Sequence, residues 1–474
     1  MNTSPADQPE PPRRTGVLDR RLSADAPAGR GALVTLAIIA APVAVLLIGA
    51  LLVLGRLSPS PAPSPEVAQR SEPDAPTPPA ATAERRPRDE AAKSSDRAAP
   101  DFLPAPRDRA AAAPAPTTPG PSTPTPAPAP AAGRHGIAPA TPWKTLDPAT
   151  RLTRIGIGSC LHQKHPQPIW QGVLGLSPRP DLFLMIGDNV YGDIKSPDGA
   201  ELAAAYRDQA AHPELAEARA AMPFLATWDD HDYGGNDQGA AFPHKAIATE
   251  MFHEFWRMAP ERPDGGGIHY ARVYGPPGAR VQLVMLDTRS ARSAFRQKSA
   301  SFPHWGRYEP VEDTSLTMLG SAQWNWLEAR LAEPAELRLV ISSVQVLADG
   351  HGFERWGNLP IERERLVDLI AAKSSAPTLL VSGDRHFGVV YARALADGRL
   401  LPELTTSSLN RPYGPPKDAR NDETLSGFVH QENFGLVDID WAGRKVTLRL
   451  AGIDGKDYDT FAFRFADLVG GAER

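Results

Sequence analysis

The sequence predicts an α/β fold for the chain from residue 143 onward, and three patterns predict it. Short apolar runs recur along the chain, and each stops abruptly at glycine or at acidic residues. Buried strands of a covered sheet read in this way. Helical spacers lie between several of these runs, and alternation of strands with helices argues a sheet whose ligand site gathers at the strand ends. From residue 434 the pattern changes to strand after strand with Asp-rich turns. That closing set is expected to form a second sheet packed on the first.

Taken in order, residues 1–31 are polar and carry Arg13, Arg14, Arg20, Arg21 and Arg30, a segment expected in the cytoplasm. Residues 32–54 are apolar apart from Thr35, with Pro42 in the middle. A helix of about 23 residues crosses ~30 Å of hydrocarbon, and a proline is tolerated within it. Arginines crowd the preceding flank, so the positive-inside rule predicts a single transmembrane anchor with the rest of the chain outside. A cleaved signal peptide is the rival; the apolar core is long for one and lacks a clean A-x-A site. Much of the chain's complement of 50 prolines falls in residues 55–142, among Ala and Ser. Such a segment buries too little apolar area to offset chain entropy, so a disordered or polyproline tether is expected.

The folded region, 143–474, opens with the run 155–157, which ends in Gly158-Ser159-Cys160. Run 183–186 ends in Gly187-Asp188, and 223–227 ends in Trp228-Asp229-Asp230-His231-Asp232. Run 281–286 leads to Asp287-Thr288-Arg289, 337–343 to Val344-Gln345-Val346, and 378–382 to Gly383-Asp384-Arg385-His386. Helical spacers are read at 199–212, 245–258, 321–331 and 361–373, and closing strands at 434–441, 445–451 and 458–465.

Composition excludes some classes. A formal net charge of -5 argues against a basic nucleic-acid-binding surface. With one cysteine there is no internal disulfide, so the core alone must hold the fold. Cys160 itself is either a small buried hydrophobe or a ligand or nucleophile.

The chemistry collects at four strand ends: Cys160, Asp188 with Tyr191, the pair Asp230-His231, and Asp384 with His386. Acids and histidines gathered there repel one another or are wasted without a cation among them. The two oxygens of Asp188 point in different directions and can bridge two ions. A phenolate three residues on reaches one of them and favours a hard trivalent ion. Two cations divide N, O and S ligands, deprotonate a water for in-line attack on phosphorus and offset charge on the phosphoryl oxygens.

Through G-S-C, G-D-N-V-Y, W-D-D-H-D-Y-G-G-N-D, L-D-T-R and S-G-D-R-H, in that order, the sequence resembles the alkaline phosphatase D (PhoD-like) family. That family lies within the calcineurin-like metallophosphoesterases. The resemblance implies a two-layer β-sandwich flanked by helices (an αββα fold) and phosphatase or phosphodiesterase activity outside the cytoplasm. It implies Cys160 as a thiolate on the first metal, Asp188 bridging, Tyr191 as a phenolate and His386 completing an Fe(3+) set. Asp230 is then a ligand of the second metal and His231 the catalytic histidine. Asp384 takes a second-metal position that is His in the wider superfamily. Ca(2+) is the implied second ion, with Zn(2+) or Mn(2+) compatible. Gln345 is a further candidate oxygen.

Arg289 and Arg385 are candidate substrate phosphate binders, or ion pairs bracing the strand ends. Asp229 and Asp232 are read as caps of backbone amides or as orienters of His231. His162, His165, His244 and His253 are given no role. The expected protein is a membrane-tethered, extracytoplasmic phosphoric ester hydrolase acting on a mono- or diester, with no obligate protein partner. The alternative is a catalytically silent surface binding module.

Overall fold

A computed structural model describes residues 134–139, 143–257, 266–413 and 420–470. The expected anchor at 32–54 lies outside the described residues, as does nearly all of the expected tether at 55–142. Among the described residues no helix is long and apolar enough to cross a membrane.

Two six-stranded sheets carry the fold. The first holds β1 (Arg154–Gly158), β2 (Leu182–Ile186), β3 (Phe224–Thr227), β10 (Phe434–Asp440), β11 (Lys445–Ala451) and β12 (Asp457–Arg464), in the order β12-β11-β10-β1-β2-β3. The second holds β4 (Tyr270–Tyr274), β5 (Val281–Met285), β6 (Leu337–Ile341), β7 (Thr378–Ser382), β8 (Val389–Ala394) and β9 (Leu400–Thr405), in the order β4-β5-β6-β7-β9-β8. Strands β1, β2 and β3 run parallel, as do β5, β6, β7 and β9.

The apolar runs are continuous because both faces of these strands are covered. In β2, Leu182, Leu184 and Ile186 enter the core between the sheets, where they meet Leu283, Leu339 and Val381. Its alternate residues Phe183 and Met185 pack outward with Trp170, Tyr206 and Phe255. Those come from α1 (Ile169–Gly175), α2 (Ala200–Ala210) and α5 (Lys245–Trp256), while α3 (Pro213–Ala221) adds Leu215. On the opposite outer face, Val284, Val340 and Leu380 lie with Trp324 of α6 (Gly320–Leu331) and Leu366 of α7 (Pro360–Lys373). Side chains that alternate between two buried layers have period 2, yet read as unbroken hydrophobicity.

The closing strands depart from expectation. They do not make a second sheet but extend the first, because β10 pairs antiparallel with β1, Ile157 opposite Gly435. The second sheet is completed instead by β4, β8 and β9, which the sequence did not advertise. Strand β9 carries Pro402 and Glu403, and the buried Glu403 carboxylate accepts the amides of Val346 and Leu347 at 2.9 and 2.6 Å. A strand holding a proline and a buried acid does not read as one from its hydrophobicity.

The two sheets meet at their strand ends. Thr227, closing β3, donates its hydroxyl to the Leu286 carbonyl after β5 at 2.9 Å. Ser159, after β1, donates to Thr406, after β9, at 3.0 Å. Every strand exit that carries a candidate ligand therefore opens at one edge of the sandwich. Leu339 is fully buried between the sheets. Leu339→Ala is expected to lower the unfolding free energy by about 2–5 kcal/mol, read from the urea midpoint at an unchanged slope.

Candidate metal centre

The turn after β2 is the first determinant. Gly187 has φ 117°, and a Cβ there would stand 2.6 Å from the Asp229 Cβ. Only glycine lets the exit of β2 lie against the exit of β3. The Cys160 amide donates to the Gly187 carbonyl at 3.1 Å, and the Leu161 amide to the Asp188 carbonyl at 2.8 Å. These bonds set the Cys160 Sγ 3.7 Å from Asp188 Oδ2. The Tyr191 hydroxyl donates to the same Oδ2 at 3.1 Å and stands 3.3 Å from His386 Nε2. His386 Nδ1 faces the Arg411 carbonyl. A backbone acceptor there places the proton on Nδ1 and leaves the Nε2 lone pair for a ligand. Sulfur, carboxylate, phenol and imidazole thus converge.

A second group adjoins the first. Donor atoms of Asp188, Asp230 and His231 lie within 4.8 Å of one another, as do those of Cys160, Asp188 and His386. Asp188 is common to both. His231 and Asp230 belong to the single turn α4 (Asp230–Tyr233), and the His231 amide donates to Asp188 Oδ1 at 3.3 Å. His231 Nδ1 meets Asp193 Oδ1 at 2.6 Å. A third group joins Asp230 to Asp237 and Glu354.

Burial sets the electrostatics. It pushes the Cys160 thiol up to about 12, and it raises Asp188 well above the usual carboxylate range, with Asp230 adding to the rise. Burial also raises Tyr191, helped by Asp188. It pulls His386 down to about 3, so that imidazole is neutral. At His231 burial acts downward, but Asp230, Asp188 and Asp193 outweigh it and bring the ring to about 10. Asp230 resists its burial and lies below the usual range because His231 and Arg289 face it.

The residues present fit cations. Asp230 Oδ1 and Asp384 Oδ2 are buried without a hydrogen-bond partner, which costs free energy unless something else meets those oxygens. Backbone conformation marks the same residues. Among the described residues, five of the seven non-glycines with positive φ are Cys160, Asp188, Asp237, Asp384 and His386. Each such conformation costs of order 1–3 kcal/mol, and functional sites are where it persists.

Cys160, Asp188, Tyr191, Asp230, His231 and His386 are thus brought together as the sequence implied. Asp384 stands outside the three groups, with its Oδ2 3.6 Å from Arg385 Nη1. Arg385 lies against Phe353, its guanidinium carbon 4.2 Å from the ring centroid. For Arg289 the structure shows the ion-pair alternative. That side chain is fully buried, donates to Asp229 through Nε at 2.7 Å, and meets Glu354 Oε2 through Nη1 at 2.7 Å. The neighbouring Asp287 carboxylate accepts the backbone amides of Arg289 and Ser290 and the Trp228 indole, each at 2.9 Å. Gln345 Oε1 faces His351 Nε2 at 3.0 Å. Asp232 does cap a backbone amide, that of Asp229, at 2.6 Å. Neither it nor Asp229 orients His231; Asp193 does.

Several residues had no sequence signal of their own. Ser407 donates to Cys160 Sγ at 3.0 Å and accepts the His386 amide at 2.8 Å, tying two candidate ligands together. His162 stacks on Tyr191 at 4.8 Å, and Tyr413 on His386 at 4.1 Å. The Arg411 guanidinium carbon lies 4.7 Å from the Tyr191 ring centroid. Asp237 closes one quoted motif and Asp193 lies two residues past another, where acidity within a turn was the available cue.

Comparison with known proteins bears on the family and the fold. A family model described as PhoD-like phosphatase matches residues 159–450. Alkaline phosphatase D of Bacillus subtilis (strain 168) is 22% identical over 295 residues, which cover 53% of this chain and 49% of that protein. The chain thus spans about half the length of the curated relative it matches. The solved structure of PhoD matches with a TM-score of 0.55 at 16% identity, over 70% of this chain and 72% of that one. That is a likeness of fold.

Removing one partner of a buried ion pair strands the other charge, so Arg289→Ala is expected to destabilise the protein by roughly 3–5 kcal/mol. Urea unfolding reads this. A raised KM at unchanged stability would instead restore Arg289 as a substrate residue.

Proposed function

Because this chain belongs to the PhoD-like phosphatase family, we propose that it is a metal-dependent phosphoric ester hydrolase working at the edge where its two sheets meet. The observation that carries this reading is the convergence of Cys160, Asp188, Tyr191 and His386, with Asp188 shared by the group around Asp230. The first four residues would hold a hard trivalent cation, Fe(3+), which suits thiolate and phenolate donors. Asp188 and Asp230 would hold a second cation through oxygen, and Asp384, outside their group but with a buried Oδ2 that lacks a hydrogen-bond partner, would add a third donor; such a set favours Ca(2+) over Zn(2+) or Mn(2+). When bound, such a pair lowers the pKa of a water and offsets charge on the phosphoryl oxygens.

The chain's own groups supply the rest. His231, held through Nδ1 by Asp193 at 2.6 Å, keeps Nε2 for moving a proton to the leaving oxygen. Arg411 has no carboxylate partner among the described residues, and it lies over the Tyr191 ring. It is placed to fork onto phosphoryl oxygens, a task planar guanidinium performs better than ammonium. Arg385 is the second cation available for that work.

The reading extends to location. The apolar span at 32–54 with its arginine-rich flank supports a single membrane anchor and an extracytoplasmic catalytic region. Protease added to intact cells is then expected to remove the catalytic region; full protection would place it inside.

Two measurements test the chemistry. Asp188→Asn is expected to lower kcat/KM for bis(p-nitrophenyl) phosphate by roughly 100-fold or more, since even outer-sphere changes at metal sites cost 10–100-fold. Elemental analysis should show metal lost with it, and unchanged turnover and metal content would end the proposal. In the iron-loaded protein, Tyr191→Phe should abolish the visible phenolate-to-iron charge-transfer band; a retained band would remove Tyr191 from the ligand set.

A further inference from the structure

One large apolar side chain near the site stays half exposed. Trp305 is 54% exposed, more than any other large hydrophobic among the described residues. It is nonetheless held firmly. Residues 296–309 fold back on themselves, Gln297 bridging Tyr308, and lie directly on the chain at Gly352. The Arg307 and Tyr308 amides donate to the Gly352 carbonyl at 2.8 and 2.6 Å, and the Gly352 amide donates to the Trp305 carbonyl at 2.8 Å. Gly306 has φ 138°, and a Cβ there would stand 2.2 Å from the Gly352 carbonyl carbon. Glycine is required for so close an approach. The Tyr308 hydroxyl then donates to Asp237 Oδ2 at 2.7 Å, fixing the segment to an acid of the site.

From Trp305 an unbroken line of contacts runs to the candidate ligands. Its ring meets Phe353 edge-on, with centroids 4.8 Å apart at 81°. On Phe353 rests the Arg385 guanidinium, 4.2 Å from the centroid. Phe353 precedes Glu354, which shares an acidic group with Asp230, and Arg385 stands between Asp384 and His386. A cation beside the metal ligands suits a phosphoryl group, and two aromatic rings in contact beyond it suit a flat apolar group bonded to that phosphorus.

We propose that Trp305 and Phe353, with the Arg385 guanidinium at their inner end, form the subsite for a planar organic substituent of the ester. The preferred substrate class is then aryl or other ring-bearing phosphoric esters, and small alkyl phosphates are the poorer ligands. This rests on the phosphoric ester hydrolase reading above. Trp305 acts as a specificity determinant, and the bond broken is still the P–O bond.

Calorimetry on the full-length, metal-loaded protein tests it with three ligands that are not hydrolysed: inorganic phosphate, methylphosphonate and phenylphosphonate. Phenylphosphonate is expected to bind about tenfold more tightly than methylphosphonate, a ratio of the size that one aromatic contact supplies. In Trp305→Ala that ratio should fall to about twofold or less, and in Trp305→Phe it should persist, which separates ring contact from any loss of folding. Equal affinities in the wild-type protein overturn the subsite, as does an undiminished ratio in Trp305→Ala; phosphate binding in either case leaves the hydrolase reading standing. If the wild-type protein binds none of the three, the hydrolase reading fails and the subsite with it.

Discussion

Both oxygens of the Asp188 carboxylate are committed, and the rest of the site depends on that. Oδ2 faces Cys160 and Tyr191, while Oδ1 accepts the His231 amide. One side chain therefore fixes the separation of two donor groups carried by four different strand exits. The arrangement needs parallel neighbours, because only then do β1, β2 and β3 all end at the same edge. It also needs the close approach at Gly187. Left-handed backbone at Cys160, Asp188, Asp384 and His386 aims each side chain inward from its strand end. The sandwich core over-determines those conformations, which are costly for non-glycine residues.

Beneath the donors lies a buried ionic network that braces them. Asp229 pairs with Arg289, Arg289 with Glu354, and Glu354 with Arg292. Ser343, at the exit of β6, donates to Asp229 as well, at 2.7 Å. The network joins the turn that carries Asp230 and His231 to strand exits of the second sheet. Burial pushes the Glu354 carboxyl up to about 7, while Arg289 and Arg292 act against that rise. Such pairs contribute little net stability over apolar packing, but they are destabilising to break. Their consequence here is geometric, since the two sheets cannot slide without separating charges that water does not reach.

Around the mouth the chemistry changes from acids to rings and guanidinium groups. His162 covers Tyr191, Tyr413 covers His386, and Arg411 lies over Tyr191. On another part of the rim Arg385 rests on Phe353. The interior thus favours cations, whereas the rim favours an anion with organic substituents. The phosphoric ester proposed above is a ligand class that would satisfy both.

Strands β1 to β3 and β5 to β7, the long helices and the principal donors were legible in the sequence. Apolar runs such as 183–186 are bounded by residues that cannot continue them, and burial on both faces makes the runs continuous. Cys160, Asp188, Asp230 and His386 stand at such boundaries, so position along the chain alone flagged them. What stayed hidden depends on residues distant in sequence. β9 reads poorly because Pro402 and the buried Glu403 gain their justification only from neighbours in space. β10 to β12 were legible as strands, but their sheet was decided by the pairing of β10 with β1, between residues some 280 positions apart. The Arg289 guanidinium looked equally suited to phosphate or to a carboxylate until folding buried it against Asp229 and Glu354. Local pattern is written in the order of the residues, because periodicity and chain breaks are short-range properties. Which charges meet, which are sealed from water and which remain for a ligand was decided only when separate strand ends came to one edge.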